Sequence, residues 1–261
     1  MGCPAGALTN ALRTDGFGAQ YAALVSVLAW SRLRNRPFCT SPWLEMEHGV
    51  NASQMWIFIG GSSLGPAASA TSTASGPFHS QLASRRYLDE SVIFRVRAAY
   101  VSAPKPALKW FPPGFRHVAV HVRRGDICAA GSAQAAQCIS GRFTSNGIAA
   151  RCALLAAERL RADASGASPR PDVMIHIFSE GVSTDFDTLG RIPGYTSHFH
   201  LSQPLDVTFH HLVSSHALVM ARSTLSDMAG LLSEGLLFAP LNAMGGGQIR
   251  YLHNHKQHIG C

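Results

Sequence analysis

Lysine is nearly missing from this sequence. Only Lys105 and Lys109 precede residue 250, so arginine carries most of a net charge of +7 and a pI of about 9.4. There is no Lys/Arg run of the kind that forms a nucleic-acid-binding tail, and no recognised nucleic-acid module with interleaved surface aromatics. The basic balance therefore points to small anionic partners rather than to nucleic acid. Long apolar runs are also missing. The longest, residues 22–30, is far short of the roughly 20 residues that a membrane helix needs. Met1-Gly2-Cys3-Pro4 has neither the basic start nor the apolar stretch of a secretory signal. That leaves a soluble chain or one that begins after its targeting segment. The second is the preferred reading, because a nucleotide-fold domain would normally carry a full strand before Gly16.

The six cysteines, Cys3, Cys39, Cys128, Cys138, Cys152 and Cys261, contain no Cys-x-x-Cys pair, which argues against a zinc site. Their even number permits disulfides in an oxidising compartment, and Cys128 with Cys138, at either end of a loop, is the first pair to test. Asn51-Ala52-Ser53 is an N-glycosylation sequon, a pattern that often arises by chance. Hydrophobic residues make up 46% of the 261 residues, enough for a real core and against global disorder. The length suits one large or two small domains.

In chain order, Gly16-Phe17-Gly18-Ala19-Gln20 opens a helical run over residues 21–32. Apolar residues nearly surround that run, so it is expected to be buried. A short strand is predicted at 38–40. Residues 43–59 read as irregular with Trp43 and Trp56 packed, and 60–76 as a long surface loop. A helix over 88–101 puts Val92, Ile93, Val96 and Tyr100 on one side. Pro104, Pro106, Pro112 and Pro113 then punctuate the chain, and the domain boundary is placed there, giving domains 1–112 and 113–261. The second half alternates. Strands are predicted at 117–122, 173–178 and 216–220, with a short edge strand at 236–238. Helices are predicted at 145–162, 205–215 and 225–233. Ile148, Cys152, Leu155 and Leu160 are the buried candidates of the first of these helices. This order predicts an α/β fold with a parallel, doubly wound sheet.

The stretch His117-Val118-Ala119-Val120-His121-Val122-Arg123-Arg124-Gly125-Asp126 begins as a strand and ends as a cationic corner. Ligands bind at the carboxyl ends of such strands, and arginine forks match phosphate oxygens bidentately. Ser179 and Glu180 end the next strand, where a carboxylate can hold ribose hydroxyls or accept a proton. Ser223, Thr224 and Ser226 start a helix, beside Arg222, as natural N-cap residues and an anion site. His198, His200, His210, His211 and His216, like His253, His255 and His258, lack an acidic partner and a consistent helical pairing. They are read as core or surface residues rather than metal ligands.

His121-Val122-Arg123-Arg124-Gly125-Asp126 resembles the His-x-Arg-Arg-x-Asp motif of the α1,2/α1,6/protein O-fucosyltransferase superfamily. Gly16, Gly18, Gln20, Asn35 and Arg36 match its first glycine motif, with Ala19 where some members carry an asparagine. Ser223, Ser226 and Ala229 match its third. The resemblance runs from about Gly16 to Pro240. It implies a GT-B-like pair of Rossmann-like lobes, the N-terminal one possibly truncated, with the donor held mainly by the C-terminal lobe. It implies transfer of fucose from GDP-fucose, with inversion, to a hydroxyl of a glycan or glycoprotein, without metal or cofactor. The compartment implied is the Golgi or ER lumen, with any membrane attachment through a segment absent from this chain. Carried over residue by residue, Arg124, Asp126 and Glu180 are catalytic candidates. Gly16, Gly18, Gln20, His121, Arg123, Arg124, Ser179, Ser223, Thr224 and Ser226 are donor-binding candidates. Arg124 is expected against the β-phosphate and Asp126 behind an arginine. Gly131 aligns where α1,6-type relatives place a glutamate base. The alternative is a non-catalytic nucleotide- or glycan-binding module that keeps the phosphate corner.

Overall fold

The computed structural model describes residues 2–10, 14–68, 88–128, 138, 142–163, 171–240 and 258–261. The chain forms two compact units, Met1–Lys105 and Pro106–Cys261.

In the first unit β1 (Leu8–Thr9), α1 (Phe17–Leu33) and β2 (Phe38–Cys39) form a βαβ unit whose strands pair in parallel, and the Cys3–Cys39 disulfide closes it. Tyr21, Leu24, Val25, Leu28 and Ala29 are all buried, as the apolar surround of α1 requires. Residues 43–59 are not irregular throughout, as predicted. Asn51 caps α2 (Ala52–Phe58), its side chain accepting from the Gln54 amide at 3.0 Å, and starts a helix that the mixed composition hides. Trp43 and Trp56 do pack, edge to face at 5.4 Å. In α3 (Glu90–Ser102), capped by Asp89, the buried side is Val92, Ile93, Val96, Ala99 and Tyr100. Of the predicted 60–76 loop, residues 60–68 are described and include a 3-10 turn at Gly61–Leu64, and residues 69–76 lie outside the described residues.

The second unit is a six-stranded parallel sheet. Its strands are β3 (Arg116–His121), β4 (Val173–Ser179), β5 (Ser197–Leu201), β6 (Ala217–Val219), β7 (Leu236–Ala239) and β8 (His258–Gly260). They lie in the order β5-β4-β3-β6-β7-β8. Two of these strands escape prediction. β5, Ser-His-Phe-His-Leu, alternates with histidines instead of aliphatics, and β8 is too short to carry a pattern. Because β8 pairs with β7, β7 is an interior strand and not the predicted edge.

On one face, Val118, Val120, Val122, Ile175 and Ile177 pack against α4 (Asn146–Asp163). The buried stripe of α4 is Ala149, Cys152, Ala153, Ala156, Ala157 and Leu160, and Leu155, predicted as buried, is 39% exposed. Small side chains bring this helix close to the sheet, so alanine rather than leucine marks the packed side. Cys152 bonds Cys261, tying α4 to the chain just beyond β8, and Cys128 bonds Cys138 beyond the arginine corner. All six cysteines are thus paired, a pattern that persists in oxidising surroundings. None of the described helices is long and apolar enough to cross a membrane. The other face of the sheet carries His117, His121, His176, Phe178 and His200, near α5 (Leu205–Ser214); α6 (Thr224–Leu232) follows β6.

Counted within this unit, the strands run third, second, first, fourth, fifth, sixth, the Rossmann order. Its topological switch point, where a crevice opens at the strand ends, falls between β3 and β6.

Candidate nucleotide-binding corner

Two loops meet at that switch point. After β3 the Val122 amide still bonds the Phe178 carbonyl at 3.0 Å, and the chain then leaves the sheet. Arg124 takes φ −130°, ψ −122°, and Gly125 takes φ +50°, a left-handed conformation that favours glycine. Gly125 is needed for a second reason. A Cβ there would stand 1.6 Å from Glu180 Oε2, so the carboxylate of the next strand end rests on this turn. After β6 the chain turns into α6 at Ser223. Its hydroxyl accepts from the Leu225 amide at 3.2 Å and from Arg123 Nη1 at 3.2 Å.

The two arginines part company, as successive residues of an extended chain do. Arg123 points to the start of α6. Asp126 grips it, both carboxylate oxygens accepting from Nη2 at 3.1 and 2.8 Å, and its Nε is buried without a partner among the described residues. Arg124 is 3% exposed and faces away from that pair. It donates to Asn146 Oδ1 at 2.6 Å and to the Arg123 carbonyl at 2.9 Å, and it lies 4.4 Å over the Phe143 ring. Asn146 is fixed in turn through its Nδ2 to the Asp185 carbonyl at 2.5 Å. Burial pushes the Arg124 pKa down, and Asp185 opposes this. Phe143 and Asn146 were not foreseen, because they follow a loop whose side-chain directions no local pattern sets.

His121 ends β3 beneath this corner. Its Nδ1 lies 2.6 Å from Ser226 Oγ, which also accepts from the Ala221 amide at 3.0 Å. With one lone pair so used, the simplest arrangement has the serine hydroxyl donate to Nδ1, leaving His121 with its proton on Nε2. Burial, reinforced by Arg123, holds its pKa down at about 3, so it is a neutral donor at physiological pH. Ser179 spends its hydroxyl on the Val122 carbonyl at 2.6 Å, and Glu180 is exposed. Thr224 is the first residue of α6 and half-buried.

The structure thus brings together His121, Arg123, Asp126, Ser223 and Ser226, with Glu180 on the same turn. Gly16, Gly18 and Gln20 belong to the first unit. Gly16 precedes α1, and Gln20 Nε2 donates to the Asp15 and Glu45 carbonyls at 2.7 and 2.8 Å, tying the loops around the helix start.

The histidines form a separate hydrogen-bonded series. The Pro112 carbonyl can only accept, so His117 carries its proton on Nε2, 3.0 Å away. His117 Nδ1 must then accept from His176 Nε2 at 3.2 Å, and His176 Nδ1 from His200 Nε2 at 3.0 Å. His211 donates from Nδ1 to the Val207 carbonyl at 2.7 Å. Trp110 stacks on His200 at 4.1 Å and Phe111 on His117 at 4.4 Å. Among the described residues no group of His, Cys, Asp or Glu is arranged to hold a metal ion. His253 and His255 lie outside the described residues. Since both ring nitrogens of His117 and of His176 already serve neighbouring rings and the backbone, chelator treatment is expected to leave the melting temperature unchanged. Loss of stoichiometric zinc together with stability would contradict this.

No family model and no curated protein matches the chain. Among solved structures it is similar to NodZ α-1,6-fucosyltransferase soaked with GDP-fucose, at 13% identity and a TM-score of 0.38, covering 87% of this chain and 92% of that one. The same enzyme co-crystallised with GDP gives 13% identity and 0.39, over the same shares. At this level the likeness carries no functional argument. The chain has an α/β fold with a six-stranded parallel sheet and an arginine–serine corner at its switch point.

Proposed function

We propose that the chain is an inverting glycosyltransferase that moves fucose from GDP-fucose to a hydroxyl of a glycan or glycoprotein in the secretory pathway. One observation carries this reading. Arg123 and Ser223, 100 residues apart in two of the three family-like motifs, share a hydrogen bond at the Rossmann switch point. In this reading the Arg123 fork, the Ser223 hydroxyl and the start of α6 receive the diphosphate. As the bond from the anomeric carbon to the β-phosphate oxygen breaks, negative charge grows on GDP, and a fixed guanidinium stabilises it more than it stabilises the intact donor. Asp126 holds that guanidinium in place, and neutral His121 offers an Nε2–H. Arg124, locked against Phe143 and Asn146, braces the turn. The exposed Glu180 is the carboxylate nearest to hand for the acceptor proton. The cationic corner supplies the charge that a metal would otherwise bring, so the proposal invokes none.

The non-catalytic alternative draws on one observation. Of the two carboxylates at the corner, Asp126 is committed to Arg123, and the position that aligns with the family glutamate is Gly131, which carries no carboxylate.

The test is a nucleotide panel. GDP is expected to raise the melting temperature more than UDP or ADP, because a ligand at 100 times its dissociation constant stabilises the native state by about 2.7 kcal/mol. A UDP preference would overturn the donor assignment. GDP-fucose binding with no transfer of fucose to any acceptor or to water, and so no release of GDP, would favour the binding module.

A further inference from the structure

We propose that Asn51 is a site of N-linked glycosylation. Asn51-Ala52-Ser53 is the sole Asn-x-Ser/Thr tripeptide of the 261 residues, and the middle residue is not proline. The tripeptide alone is weak; three structural observations add to it.

The first concerns the compartment. Cys3–Cys39, Cys128–Cys138 and Cys152–Cys261 are all bonded, and such pairing belongs to the oxidising lumen in which oligosaccharide is attached. The second is access. Asn51 and Ser53 are both exposed at the start of α2, next to exposed Glu47, His48 and Gly49, and a Cβ added to Gly49 would meet nothing within 4 Å. Of the turn 51–54 only Ala52 is buried, so a bulky substituent on Asn51 has solvent to enter. The third is the division of labour within the Asn51 amide. Its Oδ1 accepts from the Gln54 amide at 3.0 Å and caps the helix, while Nδ2, the atom to be modified, takes no part in the cap. An N-glycosyl amide keeps its carbonyl oxygen and one N–H. The modified residue can therefore cap α2 as the free one does, and folding does not hide the site.

The donor is an oligosaccharide carried on a lipid diphosphate, with a lumenal transferase as catalyst. Nδ2 forms a bond to C1 of the first sugar, the bond from C1 to the diphosphate oxygen breaks, the lipid diphosphate leaves, and Nδ2 gives up one proton.

The experiment secretes the full chain from a eukaryotic host behind a cleavable leader and assays both the secreted and the cell-retained pools. Peptide N-glycosidase is expected to lower the apparent mass by one discrete step and to convert Asn51 to aspartate in its tryptic peptide. Ser53→Ala should abolish the step while leaving the Asn51 cap untouched, and Ser53→Thr should retain it. Asn51→Gln is the less clean variant, since it removes the cap as well. An unmodified Asn51 peptide from wild type in both pools overturns the proposal. So does a mass step that survives Ser53→Ala.

Discussion

Acidification from pH 7 to about pH 4 is expected to unfold the second unit. This unit buries His117, His121, His176 and His200 on its sheet and His211 on α5, and burial is the leading cause that lowers each of their pKa values. For His176 the value falls to about 2, with the neighbouring His200, His117, His198 and His211 adding to the effect. For His121 it falls to about 3 and for His200 to about 4. In an unfolded chain each titrates near 6.5. The folded values lie below the unfolded ones, so the unfolded state binds more protons across the interval. The stabilisation is fully present above pH ~6.5 and is lost as pH falls towards the folded values. Two pH units below 6.5, each such group costs about 2.5 kcal/mol, and the three with the lowest values together remove on the order of 8 kcal/mol. That is comparable with the whole stability of a typical domain, roughly 5–15 kcal/mol.

The wiring explains why these rings resist protonation. His176 gives its one proton to His117 and receives another from His200, so a second proton on His176 would meet a donor head-on. Urea titrations monitored by circular dichroism and Trp110 fluorescence, repeated from pH 8 to pH 4, measure the effect. A slope of more than one proton per molecule between pH 6 and 4.5 is expected. His176→Gln keeps one donor and one acceptor without a titrating ring and should lower that slope by about one proton. A stability curve flat down to pH 4 would show that the cluster admits water or rearranges at little cost.

Arg123→Lys is expected to cut the proposed fucosyl transfer by about 30- to 1,000-fold, the ~2–4 kcal/mol of one lost transition-state donor, while changing the melting temperature little. Lysine retains the charge but cannot span Ser223 and Asp126 with one planar fork. Arg124 should respond in the opposite way. Removing it with Arg124→Ala empties a buried position and leaves the half-buried Asn146 Oδ1 and Phe143 face without a partner, so unfolding stability should fall by roughly 2–3 kcal/mol. GDP binding by the remaining folded protein should fall less than in the Arg123 variants. This reverses the expectation drawn from the family motif, which set Arg124 against the β-phosphate. Calorimetric GDP binding, transfer kinetics and melting curves on Arg123→Lys, Arg124→Lys and Arg124→Ala decide between them. Turnover lost in Arg124→Lys at unchanged melting temperature, with Arg123→Lys near wild type, would restore the motif-based assignment.

The amino-acid order alone determined much of the second unit. Residues 117–122 announce themselves as a strand because Val118, Val120 and Val122 alternate with smaller or polar residues, and 173–178 because an interior parallel strand is a near-continuous apolar run. α6 is legible from Ser223, whose short hydroxyl caps a helix by bonding an amide two residues on, a purely local interaction. The arginine corner is legible too, since a strand that ends in two arginines and a glycine must present them at its carboxyl end. What tertiary structure decided depends on partners distant in sequence. β5 is a strand because β4 offers it an edge and because its histidines find His176 and Trp110, while its polar composition argues against it. β7 is interior because residues 258–260 return to pair with it. The stripe of α4 is alanine because close approach to the sheet favours small side chains over hydrophobic bulk. The side chains of Arg123 and Arg124 are sent apart by Ser223 and Asn146, which lie 100 and 22 residues away in sequence. A local pattern sets which residues reach a strand end; which way each side chain turns there is set by partners that only the folded chain brings within reach.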